Sequence, residues 1–356
     1  MNLKQMYFRK LVAFALAITS ISVVAISVIS PSSLPSLNRF TKVLKSAEPT
    51  NSLSGRIGND GPILVVKIDD TPPAHPQAGL EDADIVYIEQ VEGGLTRLAA
   101  VFSSVIPQVI GPVRSARISD IEILEQFGRV AFAYSGAQSK LLPVIAAANL
   151  ENLGAQRQSK EIYANDPSRI APTAMMLQAQ KLMHKVSEQN LAIAISKNVG
   201  WNFSEIFDTG TAISAVKVSW PANSYLATWS NSDKRWLLSN GGNPNISANG
   251  IHLGPSTFVI QLVSITPSEY HDKVGGVTPF TATVGSGRGY ILRDGKYISA
   301  IWNRPTAAAG TTWTTADGTE IPFAPGQIWI ALTDKEPIFT PNSEPAGADA
   351  PSTASK

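Results

Sequence analysis

The fold is decided by residues 84–103, which read DIVYIEQVEGGLTRLAAVFS. Two runs rich in apolar and β-branched residues flank Gly93 and Gly94, and this pattern predicts a β-hairpin closed by a two-residue turn. In that register Gln90 pairs with Arg97. The predicted hairpin is the reference from which we place the neighbouring segments.

The predicted register gives the hairpin a polar face and an apolar face. Gln90, Glu92 and Arg97 share the polar face, whereas Glu89 lies on the other face beside Leu98. A carboxylate inside an apolar face is costly to bury unless it is paired. We therefore expect Glu89 either to pair with an arginine from elsewhere in the chain or to face a cleft.

An apolar run at residues 63–68, ILVVKI, predicts a buried strand that ends at Asp69 and Asp70. Open α/β sheets bind their ligands beyond the carboxyl ends of the strands, so these two carboxylates mark a candidate ligand site. The alternative is that both side chains only cap the proline-rich loop that follows at residues 72–77.

Residues 110–117, IGPVRSAR, lead into a predicted helix. Arg114, Ser115 and Arg117 lie at its start, where backbone N–H groups and the helix dipole favour an anion. A guanidinium group also matches a carboxylate or a phosphate with two parallel donors. We expect Arg114 and Arg117 to hold an anionic group of a ligand. The alternative is that they neutralise Asp69, Glu89 or Glu92 inside the fold.

The N-terminal segment predicts a membrane anchor. Residues 11–38 contain no charged side chain, and their apolar part is close to the ~20 residues that a spanning helix needs. We expect residues 1–10 to be cytoplasmic and residues 11–30 to be a transmembrane signal-anchor, with the bulk of a single-pass protein extracytoplasmic. A cleaved secretory signal, which would release the protein, is the alternative.

Composition excludes several classes of site. The 356 residues carry a formal net charge of +1, which gives no electrostatic footprint for nucleic acid. The absence of cysteine excludes disulfides, thiolate metal sites and a cysteine nucleophile. The four histidines are scattered, so no metal site is predicted. We expect no cofactor and identify no catalytic residues, and the sequence gives no indication of the oligomeric state.

Composition shifts divide the rest of the chain. Beyond residue 210, short strand-like runs alternate with turn signals, as at 240–242 and 294–295, which predicts a mostly antiparallel β domain. The fold class is therefore α+β, with a mixed α/β domain before the β domain. The predicted segments after the anchor are a linker at 31–61, the α/β domain at 62–210, the β-rich domain at 211–335 and a disordered tail at 336–356.

Several short segments occur in a specific order along these two domains. They are ID at 68–69, PQAGL at 76–80, ADIVY at 83–87, VEGGLTR at 91–97 and IGPVRSAR at 110–117, followed by TVGSG at 283–287, DGK at 294–296 and IW at 301–302. In this order they resemble the YerB-like family of bacterial envelope lipoproteins, which are built from two domains of unknown function. The resemblance covers about residues 62 to 333.

The resemblance implies an envelope location and an α/β domain followed by a β-rich domain, and it implies no catalysed reaction. This chain departs from the family at two positions, since Asp70 stands where members commonly carry Asn and His75 where they carry Arg. The lipid-attached cysteine of the family is also missing, and the predicted membrane helix takes its place.

From these observations we expect an extracytoplasmic, membrane-anchored protein of the bacterial envelope that binds an anionic wall component or a membrane partner protein without catalysis. The candidate ligand-binding residues are Asp69, Asp70, Glu89, Glu92, Arg97, Arg114, Ser115 and Arg117. The alternative is a hydrolase or transferase acting on wall polymers, in which Asp69, Glu89 or Glu92 serves as acid or base.

Overall fold

A mixed sheet of 15 strands organises the part of the chain that the structure, a computed structural model, describes, which is residues 48–272 and 274–342. Five of the eight strands from the first part of the chain enter this sheet. The eight strands are β1 Leu64–Asp69, β2 Ile85–Gln90, β3 Thr96–Phe102, β4 Val109–Ile110, β5 Val130–Ala133, β6 Leu150–Asn152, β7 Tyr163–Asn165 and β8 Met175–Gln178.

The second part of the chain is almost entirely β structure. Its strands are β9 Thr211–Ser219, β10 Ser224–Ser230, β11 Arg235–Asn240, β12 Asn243–Pro244, β13 Thr257–Leu262, β14 Ser264–His271, β15 Val277–Ala282, β16 Gly285–Arg293, β17 Lys296–Arg304, β18 Thr312–Thr314, β19 Ile328–Thr333 and β20 Ile338–Pro341. Most neighbours are antiparallel, as the turn signals predicted, but β13 and β19 are parallel.

Helices are few among the described residues. The α-helices are α1 Ile118–Glu125, α2 Leu142–Ala147 and α3 Ala179–Glu188, and short 3-10 helices occur at Pro72–Ala74, Leu80–Asp82, Glu92–Gly94 and Ala155–Arg157. The architecture is therefore mostly β with a large mixed sheet, which agrees with the predicted mixture of helices and strands only in part.

The sheet continues from one part of the chain into the other. Its strand order is β12-β11-β10-β9-β17-β16-β13-β19-β2-β3-β1-β5-β6, with β18 and β20 paired to β17 and β9. The junction is the parallel pairing of β19 with β2. The strands β1 to β3 are buried almost throughout, as is typical of strands that are covered on both faces.

Each face of these central strands belongs to a different hydrophobic core. On one face Val65 and Ala99 pack with Ile123 of α1. On the other face Leu98 packs in a core that includes Val216 of β9. A single-residue change of register would exchange the two faces, so the register of the β2–β3 hairpin decides which side chains meet α1.

The β2–β3 hairpin forms, but its turn is longer than predicted. Val91 donates its backbone N–H to the carbonyl of Leu95 at 2.8 Å, which leaves the three residues Glu92–Gly94 as the loop. Both glycines of this loop have a positive φ, 68° and 72°, a conformation that other residues rarely adopt. The chain also passes close to Pro221 here, and a Cβ on the second glycine would collide with that ring.

The longer turn corrects the predicted register by one residue. Glu89, and not Gln90, lies opposite Arg97, while Gln90 pairs with Thr96. The prediction that Gln90, Glu92 and Arg97 share a face, with Glu89 on the other, is therefore wrong. Glu89 and Arg97 share the face that packs against α1.

The predicted segment boundaries need two corrections. The end of the predicted linker is folded, since Thr50 forms a β-bridge with Ile57 and Leu53 is fully buried. The start of the predicted tail is also folded, because β20 pairs with β9. Residues 343–356 lie outside the described residues.

The predicted anchor at residues 11–30 and the preceding residues also lie outside the described residues. Within residues 48–272 and 274–342, no helix has the length and apolar character that crossing a bilayer requires.

Candidate functional site

A row of four charged side chains, which we call the charged face, crosses the central strands β1, β2 and β3. Lys67 and Asp69 extend to this face from β1, Glu89 from β2 and Arg97 from β3, because the pairing places Arg97 opposite both acids. Helix α1 and residues 114–117 before it pack over the row. Buried charges require partners. The partners of each side chain therefore distinguish charges that stabilise the fold from charges that are available to a ligand.

One end of the charged face, which we call the sealed end, consists of Lys67, Glu89 and Asp120, and all three side chains are fully buried. The Lys67 ammonium donates to Oε1 of Glu89 and, at 2.8 Å, to Oδ1 of Asp120. The other oxygen of Asp120 accepts the backbone N–H of Arg117 at 2.6 Å and so caps α1. Burial, together with the charge of Asp120, raises the pKa of Glu89. This end fixes the helix on the sheet and leaves no space for a ligand.

Arg117 is neutralised by Glu92, which lies in the hairpin turn. Its Nε and Nη2 donate to Oε2 of Glu92 at 3.0 and 2.7 Å. Thr278 of β15 donates to the other carboxylate oxygen. Burial raises the pKa of Glu92, but the hydrogen bonds and charge of Arg117 outweigh it, and the net pKa is lowered. For Arg117, the internal ion pair that the sequence left as an alternative is therefore the arrangement observed.

The other end of the charged face, which we call the open end, consists of Asp69, Arg97, Arg114 and Ser115. Nε of Arg114 lies 3.0 Å from Oδ2 of Asp69, and the Arg114 side chain is 26% exposed. Oδ1 of Asp69 accepts the backbone N–H and the hydroxyl of Thr71 at 2.9 and 2.8 Å. One carboxylate oxygen is thus hydrogen-bonded, and the other lies against Arg114 without a hydrogen bond among the described residues, where the Nη atoms of Arg114 also have no acceptor.

Arg97 is the least satisfied charge of the open end. It is 8% exposed, and its one hydrogen bond within the described part of the chain runs from Nη1 to the backbone carbonyl of Ser115 at 3.0 Å. No carboxylate within residues 48–272 and 274–342 forms an ion pair with it, although Glu89 and Asp69 lie opposite in the sheet. Burial and the charges of Arg117 and Arg114 lower the pKa of Arg97 to about 9. A buried guanidinium with free donors beside a second cation is suited to holding an anion.

A groove of about 910 Å³ opens beside the open end. Its walls come from the loop after β1 and from the loop between β7 and β8. The lining residues are Thr71, Pro73, His75, Pro76, Arg114, Asp166, Ser168, Arg169, Ile170, Ala171, Pro172 and Thr173. Arg169 joins the two walls by donating to the carbonyls of Ala74, at 2.9 Å, and of Pro76.

Asp70 does not belong to the charged face, because it follows Asp69 and extends to the opposite side of the sheet. Its carboxylate is 2% exposed and is held mostly from the second part of the chain. Oδ1 accepts from the Tyr225 hydroxyl at 2.7 Å and from the Asn240 amide at 2.8 Å. Oδ2 accepts from Thr96 and, at 3.2 Å, from Asn223. Asp70 is therefore a link between the two parts of the chain.

His75 completes the surroundings of Asp70. Its Nε2 lies 3.5 Å from Oδ1 of Asp70, and the ring is 22% exposed. Burial lowers the pKa of His75, but the hydrogen bond to Asp70 and the charge of that carboxylate outweigh it, so the pKa is raised. The two positions at which this chain departs from the resembled family are thus in contact with each other.

The structure brings together seven of the eight candidate residues and separates the eighth. Asp69, Glu89, Glu92, Arg97, Arg114, Ser115 and Arg117 lie on or beside the charged face, and Asp70 lies on the opposite side. Glu89 forms a buried ion pair, which was one of the expected alternatives, but its partner is a lysine, Lys67, and not an arginine.

Sequence reasoning missed several partners of these residues. The signal for Lys67 is present, since a lysine in the middle of a six-residue buried strand demands a carboxylate. No local sequence signal identifies the other partners, because each lies more than 120 residues away along the chain. These partners are Thr278, Tyr225, Asn223 and Asn240. In the described part of the chain, no group of three or more potential metal-ligating side chains is arranged to hold a metal ion.

Comparison with solved structures shows the same fold in one protein of known structure. The crystal structure of YerB protein from Bacillus subtilis superposes with a TM-score of 0.68 at 20% identity, over 81% of this chain and 97% of that chain. The two proteins therefore share a fold.

Sequence comparison leads to the family. Residues 50–192 match the N-terminal domain, and residues 216–330 the C-terminal domain, of the family described as "Protein of unknown function (DUF3048)". The chain is also 25% identical over 286 residues to "Putative lipoprotein YerB" of Bacillus subtilis (strain 168), covering 76% of this chain and 80% of that protein. The chain belongs to this YerB-like, two-part family, which confirms the predicted resemblance.

Proposed function

We propose that this protein is an extracytoplasmic binding protein of the bacterial envelope, which holds an anionic group of a wall component at the open end without catalysing a reaction. The envelope location is supported by the name of its relative, which describes a lipoprotein. Attachment to the membrane through residues 11–30 stays a prediction.

The observation that carries the proposal is the state of Arg97. Arg97 is nine-tenths buried, its guanidinium makes one hydrogen bond among the described residues, and it lies beside the partly exposed Arg114. A buried charge without a counter-charge destabilises the fold. A bound anion would neutralise Arg97 and accept charge-assisted hydrogen bonds from its unused donors.

No observation favours the hydrolase or transferase alternative. Glu89 is sealed with Lys67, Glu92 is engaged by Arg117 and Thr278, and Asp69 by Arg114 and Thr71. A general acid or base must reach the substrate, and these three carboxylates are at most 8% exposed and are each paired with a cation.

Thermal unfolding of the full-length protein in the presence of inorganic phosphate or acetate tests the proposal. At constant ionic strength, we expect either anion to raise the melting temperature in a saturable way, because it binds the folded state alone. Arg97→Met should abolish the rise. Arg129→Met is the matched control, because Arg129 is 44% exposed and pairs with Glu151 away from the site.

The proposal fails if both anions leave the melting temperature of the natural protein unchanged. It also fails if Arg97→Met keeps the full response, since the anion would then be bound elsewhere.

A further inference from the structure

The groove beside the open end indicates what kind of molecule carries the anionic group. This inference rests on the proposed function. Its volume of about 910 Å³ is within the range of sites that bury small ligands. Arg114 lines the groove, and only its Nε lies against Asp69. The groove and the open end therefore share a cation with free donors.

The groove has an apolar wall without aromatic rings. Pro73, Pro76, Ala171 and Pro172 line it together with Ile170, which is 85% exposed. Together these residues give the groove an apolar wall that is suited to contact the apolar groups of a ligand. Sugar rings are usually held on the faces of aromatic side chains, and the lining contains none apart from the ion-paired imidazole of His75.

The hydroxyl groups of the groove are prepared to accept hydrogen bonds. Thr71 donates to Asp69 at 2.8 Å, Ser168 to Asp166 at 2.6 Å and Thr173 to the carbonyl of Ile170 at 2.9 Å. Because each hydroxyl hydrogen is engaged internally, the lone pairs are left for donors of a ligand. An acyl chain has no such donors, whereas the amide groups of a peptide do.

We infer that the ligand is a short peptide of small apolar residues, which places its C-terminal carboxylate on Arg97 and Arg114 and its body along the proline-lined groove. The guanidinium groups match the planar carboxylate, the hydroxyl oxygens accept from the peptide N–H groups, and the wall from Pro73 to Pro172 contacts the side chains. Arg169 holds the two walls in place before the peptide arrives.

Isothermal titration with the full-length protein tests the inference. The probe is N-acetyl-trialanine with a free carboxylate, compared with the same peptide as a C-terminal amide and with acetate. We expect the free acid to bind at least ten-fold more tightly than acetate and at least ten-fold more tightly than the amide. Glucuronate and dodecyl phosphate serve as the sugar and lipid probes, and both should bind more weakly than the peptide.

Two variants separate this inference from the proposed function. Ile170→Ser, at an exposed position, should weaken the peptide at least three-fold and leave acetate unchanged, whereas Arg97→Met should weaken both. If acetate binds but the free acid gains nothing over acetate or over the amide, the inference fails while the proposed function stands. If glucuronate or dodecyl phosphate binds most tightly, the peptide assignment is overturned. If no probe binds, the proposed function fails as well.

Discussion

The sealed end of the charged face holds one ammonium between two carboxylates, whereas the open end holds two guanidinium groups beside one carboxylate. The two ends share strand β1, on which Lys67 and Asp69 lie two residues apart. At the sealed end every charge is fully buried and paired by the protein itself, and the result is a fixed helix. At the open end Arg97 keeps free donors.

The difference shows that burial of charge serves two separate purposes on one sheet. A complete ion-pair cluster contributes specificity of packing, and removal of any member is costly. An incomplete cluster is retained at a cost to stability, which is typical of residues kept for binding. Mutations at the two ends should therefore change the free energy of unfolding in opposite directions.

The largest effect is expected at the sealed end. Lys67→Met leaves Glu89 and Asp120 buried without their cation, so the free energy of unfolding should fall by about 3–5 kcal/mol. Urea denaturation followed by tryptophan fluorescence measures the loss. Lys140→Met, at an exposed lysine, is the control and should change stability by less than about 0.5 kcal/mol. A loss under about 1 kcal/mol for Lys67→Met would remove the distinction between the two ends.

An intermediate effect is expected for Glu92→Gln, which breaks the ion pair with Arg117. Stability should fall by about 2 kcal/mol, because Arg117 is left buried without a carboxylate. The affinity for phosphate should rise about three-fold or more, since the charge of Arg117 then adds to that of Arg97. Urea denaturation and phosphate titration are the two measurements. Unchanged phosphate affinity would show that Arg117 does not act on the open end.

The pH dependence of the same variant sharpens the test. The pKa of Glu92 is lowered in the folded protein, so its contribution to stability is present above its ordinary pKa and is lost as the pH falls through the lowered value. The stability difference between the natural protein and Glu92→Gln should therefore shrink below about pH 4. A difference that persists at pH 2 would mean that the charge of Glu92 is not the source of the effect.

A smaller effect of opposite sign is expected at the open end. Arg97→Met removes a charge that burial and two neighbouring arginines disfavour, so stability should rise by about 1 kcal/mol. The melting temperature of the ligand-free protein measures the change. Arg129→Met again provides the comparison. A clear loss of stability in Arg97→Met would indicate that Arg97 holds the fold together like the sealed end.

The smallest effect concerns His75, which is partly exposed. Its raised pKa means that the protonated ring stabilises the fold fully below its ordinary pKa near 6.5, and that this contribution is lost as the pH rises through the raised value. The natural protein should exceed His75→Gln in melting temperature by a few degrees at pH 5.5 and by less at pH 8.5. An equal difference at both values would exclude the charge of His75 as the cause.

Much of the fold was predictable from local sequence patterns. Contacts between residues that are distant along the chain were not predictable in this way. The strand before Asp69, the hairpin around Gly93 and Gly94 and the β-rich second part are all present. The register of the hairpin was wrong by one residue, because a pair of glycines fits both a two-residue and a three-residue loop. That single residue decided on which face Glu89 lies.

The candidate site was predictable in composition but not in pairing. Arg97, Arg114, Ser115 and Arg117 do come together, yet sequence could not tell which arginine would be neutralised. That outcome depends on Glu92 of the hairpin turn lying within hydrogen-bond distance of Arg117. The binding role of these residues stays a proposal.

The parallel pairing of β19 with β2 has a consequence for how this chain reaches its native state. Strand β2 receives one neighbour, β3, within a few residues, but its other neighbour, β19, begins only at Ile328, far along the chain. Until then its open edge can accept foreign strands, and long-range pairing of this kind forms slowly. Completion of the sheet therefore depends on a strand far from β2 along the chain, and chains truncated before Ile328 are expected to aggregate.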